Sequence, residues 1–378
     1  MNWSNEKRLI YLTKISYIFL LIGIVISLKL WLSNRYFPLV PLINFIPSFT
    51  APFDGILLFI FILSTFIRLL FSNLKSAKII FWISITALLI TDINRMQPWV
   101  YCYLLILFFI DFVNSEYNKL NIIKTLFAVI YFYSGWHKLN PEYFNSVINW
   151  FAEPFLNNKN LLYNVFYIIG SAIPLIEMSI AIALFSGRYI NLAIYSATFI
   201  HLFILFSIGP FGHKYNAVIW PWNVFIPIAL FLIFRQSNNE NIFQHIKNQI
   251  KFKSKYDYIL LYIIISPLLN SINWFPSYLS WNLYSGNTEK AYLYLGENVN
   301  NFFSPDFDDI VKDCYDAPYT LNLKKWALKE LNVPPFPEKP VWHKCREHMF
   351  RYTENENEVI LSIQPKTSIW GKKDAIIY

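Results

Sequence analysis

Apolar residues along this chain fall in long runs divided by short polar breaks. About nine runs stand out, over residues 11–32, 54–73, 77–92, 99–114, 122–138, 162–186, 189–209, 218–235 and 257–276. A run of about 18 or more apolar residues is long enough for a membrane-crossing helix. The third to fifth are short for a hydrocarbon core of about 30 Å, so tilt or local thinning is expected there. Between the third and fourth lies "DINRMQPWVY" (Asp92 to Tyr101), where Pro98 ahead of an apolar stretch fits a helix start. The texture changes after Ser277. There "KAYLYLG" and "EVILSIQ" alternate like strands, while "NLKKWALKELN" and "EKPVWHKCREHMF" read as helices. The pattern therefore predicts an all-α polytopic membrane bundle of about nine spans over residues 1–277, followed by an exoplasmic α+β domain over 278–378. The stretch Asn140 to Leu161 is rich in aromatics but too polar to span, and is expected to lie on the outer interface. No internal repeat is visible.

Composition agrees with the pattern. The 378 residues are 55% hydrophobic and only 15% charged, against about 25% charged in an ordinary soluble domain. The formal net charge of +8 raises the question of nucleic acid. The basic residues sit instead in short loops between apolar runs, and no recognition motif accompanies them, so no nucleic-acid partner is expected. With the N-terminus inside, Lys7, Arg8, Lys14, Arg68, Lys75, Lys119, Lys124, Arg188, Arg235 and Lys247 all fall on the inner side. The outer side receives far fewer, among them Arg35, Arg95, Lys138 and Lys214. That bias predicts a cytoplasmic N-terminus and an exoplasmic C-terminal domain, and the membrane expected is a bacterial inner membrane. Met1 to Leu32 reads as a first span and not a cleaved signal, because the run is long and lacks a small-residue cleavage site.

The common catalytic signatures are absent: no Walker A loop, GxGxxG, HExxH, GxSxG or CxxC occurs. Candidate chemistry rests on ionisable side chains inside apolar runs, which are functional candidates by default. Glu177 lies deep in the sixth run and His201 near the middle of the seventh, while Lys138 ends the fifth. These three are the candidate catalytic residues, expected around one cavity open to the outside with Arg95 near its mouth. Tyr131, Ser134 and Lys138 recur at i, i+3 and i+7 and share a helix face, whereas His137 pairs with Tyr133 at i+4. Each candidate has a plainer explanation. A lysine at a helix end can snorkel to headgroups. Asp92 and Arg95 suit a structural ion pair, and a lone histidine in an apolar helix often only packs. Glu177 is hardest to dismiss, since a carboxylate at that depth needs a proton or a partner.

Of three cysteines, Cys102 lies in the fourth run as a buried thiol. Cys314 and Cys345 both fall in the exoplasmic domain, an oxidising compartment, and are expected to form a disulfide. His343, Cys345 and His348 fit no common zinc spacing, so no metal site is expected.

Three stretches resemble the horizontally transferred transmembrane (HTTM) domain family, related to vitamin K-dependent gamma-carboxylase. "YFYSGWHKLNPEYF" is similar to its aromatic–small–Gly–x–x–Lys–Leu–Asn signature, "IHLFILFSIGPFGH" to its histidine-bearing helix, and "TDINRMQPWVYCYLL" to its entry into the next helix. The likeness covers roughly residues 10–235. It implies a base toward a reduced quinone at Lys138 and a functional histidine at His201. It further implies a lipid-soluble, quinone-type cofactor bound by Tyr131, Ser134, Trp136, Arg95 and Trp99. The polar turn reads Gln97-Pro98-Trp99 where the family carries a histidine, which sets this chain apart from glutamate carboxylation itself. The expected function is a membrane enzyme or maturation factor, a gamma-carboxylase-like lyase or oxidoreductase relative, acting on an exported peptide or protein and in contact with membrane lipids. The alternative is a non-catalytic scaffold or redox-associated assembly subunit. A transporter ranks third for want of repeat symmetry.

Overall fold

The computed structural model describes residues 3–43, 45, 49–156, 161–234, 255–302, 307, 311–314, 317–368, 371 and 374–378. The chain is predominantly helical and forms two compact units, neither continuous in sequence. One holds Met1–Ile22 and Pro98–Asn287, the other Gly23–Gln97 and Thr288–Tyr378. Residues 23–97, two apolar runs included, thus group with the C-terminal part of the chain.

The first unit contains α1 (Asn5–Ile26) as far as Ile22, α5 (Pro98–Phe112), α6 (Glu116–Lys138), α7 (Ile148–Ala152), α8 (Leu161–Ser186), α9 (Ile190–Ile208), α10 (Ile219–Phe234) and α11 (Lys255–Ile265). Helix α6 starts at Ser115, whose side chain accepts from the Asn118 amide, and packs along α8. Their contact is close because residue 135 is glycine. A Cβ there would lie 2.5 Å from the Pro174 carbonyl oxygen. Pro174 sits inside α8 and has no N–H, which leaves the Gly170 carbonyl four residues back without a helical donor. The Tyr143 hydroxyl supplies one at 2.9 Å. Tyr143 opens a π-helical turn, Tyr143–Val147, that runs into α7, and Tyr143, Ile148, Phe151 and Ala152 turn their side chains inward.

The second unit contains α2 (Leu28–Trp31), α3 (Phe53–Leu70), α4 (Lys75–Thr91), α12 (Glu297–Phe302), α13 (Leu323–Leu331), α14 (Lys339–Met349) and five strands. These are β1 (Lys290–Leu295), β2 (Val311–Cys314), β3 (Ala317–Asn322), β4 (Val359–Gln364) and β5 (Ile376–Ile377), antiparallel throughout in the order β2-β3-β1-β4-β5. Alternation along β1 buries Ala291, Leu293 and Leu295, as its sequence pattern requires. Asn322 caps α13 by accepting from the Lys324 and Lys325 amides, and Asn332 ends it in the left-handed region. Glu330, buried on α13, accepts from the Tyr36 and Phe37 amides and from the Trp326 indole.

Helix α3 buries polar Asp54, Ser64, Thr65 and Arg68 beside Leu58 and Phe61, while Phe53, Ile56, Phe59, Leu63, Phe66 and Leu70 are exposed. Water disfavours that arrangement and lipid tolerates it. Among the described residues four helices, Asn5–Ile26, Phe53–Leu70, Leu161–Ser186 and Ile190–Ile208, are long and apolar enough to cross a membrane. Membrane-crossing helices are thus present by length and composition, at fewer positions than the nine expected. Helices occupy all the expected positions, but α5 and α10 have 15 and 16 residues. At about 1.5 Å per residue neither reaches about 30 Å.

Two further expectations are corrected. Asp92 pairs with Arg35 and not with Arg95. Arg95 donates instead to the carbonyls of Leu30, Trp31 and Leu88 and to the Thr91 hydroxyl, where α2 and α4 end. A cation suits those helix C-termini. The Cys314–Cys345 disulfide is absent, because Cys345 is a free, fully buried thiol. Val341, Trp342, Cys345 and Met349 form the inward face of α14, so packing has claimed the position. Burial pushes the Cys345 thiol well above its usual pKa. The Cys314 side chain lies outside the described residues, as do Arg235 and Lys247, expected on the inner side.

Candidate functional site

The first unit encloses a cavity of about 90 Å³ between α6, α7, α8, α9 and α10. That is room for a few waters and less than the roughly 150 Å³ known to hold a benzene ring. Most of its wall is apolar, including Ile130, Phe151, Phe166 and Phe203. Into this surface project Lys138, Ser134 and Tyr131 from α6, Glu177 from α8, His201 from α9 and Asn223 from α10.

Two polar networks share the wall. In the first, Lys138 Nζ lies 2.7 Å from Glu177 Oε2, 2.7 Å from Ser134 Oγ and 3.2 Å from the Ser134 carbonyl oxygen. Three acceptors match the three protons of an ammonium. Both partners are more than nine-tenths buried, so this lysine does not snorkel. The Pro174 interruption lies one turn before Glu177, and the glycine contact at 135 brings the two helices near enough for the pair to close.

In the second network, Asn223 Nδ2 donates to the Ile219 carbonyl at 2.9 Å, which turns its Oδ1 toward His201 Nδ1 at 2.7 Å. An amide oxygen can only accept, so Nδ1 carries the proton. In a neutral imidazole Nε2 is then the acceptor, and the Tyr131 hydroxyl lies 2.7 Å from it.

The structure thus gathers Lys138, Glu177, His201, Tyr131 and Ser134 around one space. It does not gather the rest. Trp136 points elsewhere on α6 and donates to Ser271 Oγ at 3.1 Å. Trp99 is buried edge-on against Tyr103, and neither it nor Arg95 lines the cavity. His137 stacks on Tyr133, as the i+4 spacing predicts. Asn223 is not singled out by the sequence, because it carries no charge, although it is the one amide in "IWPWNVFIPIALFLIF". Among the described residues no group of three potential metal ligands occurs.

The fold and the cavity define a predominantly helical protein, with helices apolar enough for a membrane and, within the first unit, a mostly apolar cavity with polar groups in its wall. No protein-family model matches the chain, and neither the curated proteins nor the solved structures offer a match.

Proposed function

We propose that this chain is an integral membrane enzyme or maturation factor of HTTM type, set in a bacterial inner membrane with its N-terminus cytoplasmic. Its cavity accepts the ring of a quinone or another lipid-soluble cofactor and serves chemistry on an exported peptide or protein. The carrying observation is the Lys138–Glu177 pair in an otherwise apolar wall. A buried ion pair returns about what its desolvation costs, so stability alone is a poor reason to keep one. The lining suits a ring with a polar edge: Lys138, Ser134 and Tyr131 are its polar groups, and Phe151, Phe166 and Phe203 belong to its apolar wall. The cavity of about 90 Å³ is smaller than such a ring, so binding requires lining side chains to move. A bound quinone would supply two-electron redox chemistry.

The scaffold alternative draws on one observation. Every proton of Lys138 is already engaged, as in a purely structural pair. Thermal unfolding of the detergent-solubilised protein separates the readings. A short-tailed ubiquinone should raise the midpoint of the wild type in proportion to its concentration. A saturated alcohol of equal carbon number should not. Equal responses to both compounds would leave only the scaffold.

A further inference from the structure

The first unit holds another cavity, several times larger than the one around Lys138. Its volume is about 620 Å³, within the range of about 300–1,000 Å³ usual for small-molecule sites. Ala128 and Phe132 line it from α6, Ala181, Ile182 and Phe185 from α8, and Ile264 from α11. The alanines at 128 and 181 are both buried, and their short side chains leave room between the helices. Tyr133 also belongs to the wall, but its hydroxyl donates to the Ile264 carbonyl at 2.6 Å and so ties α6 to α11.

Two features say what such a space takes. The groove is open along α8, where Ile182 is exposed. That helix is long and apolar enough to cross a membrane, and Val165, Ile168, Ile169 and Leu175 are exposed along it. A molecule entering by this side comes from hydrocarbon. The other feature is a cation at one end. Helix α8 stops at Ser186, Gly187 takes a φ of 72° and Tyr189 one of 55°, and this tight turn places Arg188 in the cavity wall. Arg188 is exposed and forms no ion pair among the described residues. Helix α9 starts directly after Tyr189 without a side-chain cap, so its positive end adds to the same field. The Ser186 hydroxyl is already engaged, donating to the Ala183 carbonyl and accepting from the Arg188 amide, both at 3.3 Å. Recognition at this end therefore falls to the guanidinium.

We propose that this groove binds an anionic phospholipid, with one acyl chain between α6, α8 and α11 and the phosphate at Arg188. The wall from Ala181 to Ser186 runs about 8 Å at about 1.5 Å per residue, an elongated apolar surface ending at a charge. A straight aliphatic chain hung from an anion matches both parts. The planar guanidinium fork matches phosphate oxygens in pairs. A zwitterionic lipid offers the same chain, but its own ammonium competes with Arg188 for the phosphate. The site is separate from the Lys138 cavity and does not depend on quinone binding.

The test uses the full-length protein in phosphatidylcholine nanodiscs with a small share of phosphatidylglycerol, one acyl chain of which carries a photoactivatable diazirine. After illumination, peptide mass mapping should find label at residues 128–133 and 181–186 well above the level at the exposed stretch 162–169. Arg188→Gln, at an exposed position, should keep the unfolding midpoint and lower the groove label about fivefold. Arg188→Lys, which keeps the charge, should retain most of it. Ala181→Phe should fill the groove and remove label from 128–133 while 162–169 stays labelled. The same diazirine carried on phosphatidylcholine should label the groove no better than phosphatidylglycerol labels Arg188→Gln. Equal label over the groove and the outer stretch would overturn the proposal. So would undiminished groove label in Arg188→Gln or in a folded Ala181→Phe, or equal groove label from the two lipids.

Discussion

Lys138 and Glu177 show why single substitutions mislead at a buried pair. Lys138→Met leaves the Glu177 carboxylate without its partner, and should lower stability by about 3–5 kcal/mol. Adding Glu177→Leu removes the stranded charge and should recover most of that loss. Quinone-dependent stabilisation should not return in the double variant. Unfolding midpoints of the three proteins, with and without the quinone, check this. A double variant that still responds to the quinone would exclude the pair from binding. A second residue carries a pH dependence. Burial pushes Glu289 from 4.5 up to about 7, with the Trp342 indole N–H, 2.6 Å away, pulling the other way. The folded chain therefore holds this proton more tightly than the unfolded one. The associated stability is full below about 4.5 and is lost as the pH rises through about 7. Glu289→Gln keeps an acceptor for Trp342 and should lack that slope, so the unfolding midpoints of variant and wild type should diverge over this window. Parallel profiles would refute it. The sequence made Lys138, Glu177 and His201 legible because a charge in an apolar run is conspicuous. It hid the partner of Asp92, since Arg35 lies 57 residues away and only folding brings it near.

At the level of elements, the site depends on how closely α6 and α8 approach. Gly135 meets backbone at Pro174, which no rotamer change can relieve. Gly135→Ala should push the helices apart, destabilise the protein by about 1–3 kcal/mol, and lengthen the Lys138–Glu177 contact. Thermal unfolding measures the first effect and loss of quinone stabilisation the second. A neutral outcome in both would mean that the helices have slack. Helix positions were legible from apolar periodicity, and so were β1, β4, α13 and α14, because alternation and caps are local signals. Span number is less legible, because apolarity marks burial in protein and in lipid alike, and α5 and α10 have only 15 and 16 residues. Likewise the cysteine in "HKCREH" revealed its packed state only through the inward stripe of α14.

For the whole molecule, the grouping of residues 23–97 with 288–378 is the largest departure from a linear reading of the chain. It arises from contacts such as Phe336 to Asn94, Gln97 to Pro334 and Glu330 to Phe37, which join segments far apart in sequence. The proposed orientation places this C-terminal part outside the cytoplasm. A reporter active only there, fused after Asn301, should be active, and one fused after Asn241 should be silent. The reverse would invert the topology. The central claim is that the cavity around Lys138 binds a lipid-soluble ring compound. Mass spectrometry of organic extracts from purified wild-type and Lys138→Met/Glu177→Leu protein tests it most directly. The account predicts a quinone- or phenol-class molecule enriched in the wild type and missing from the double variant. Equal amounts of the same lipids in both preparations, with no ring compound enriched, would contradict it.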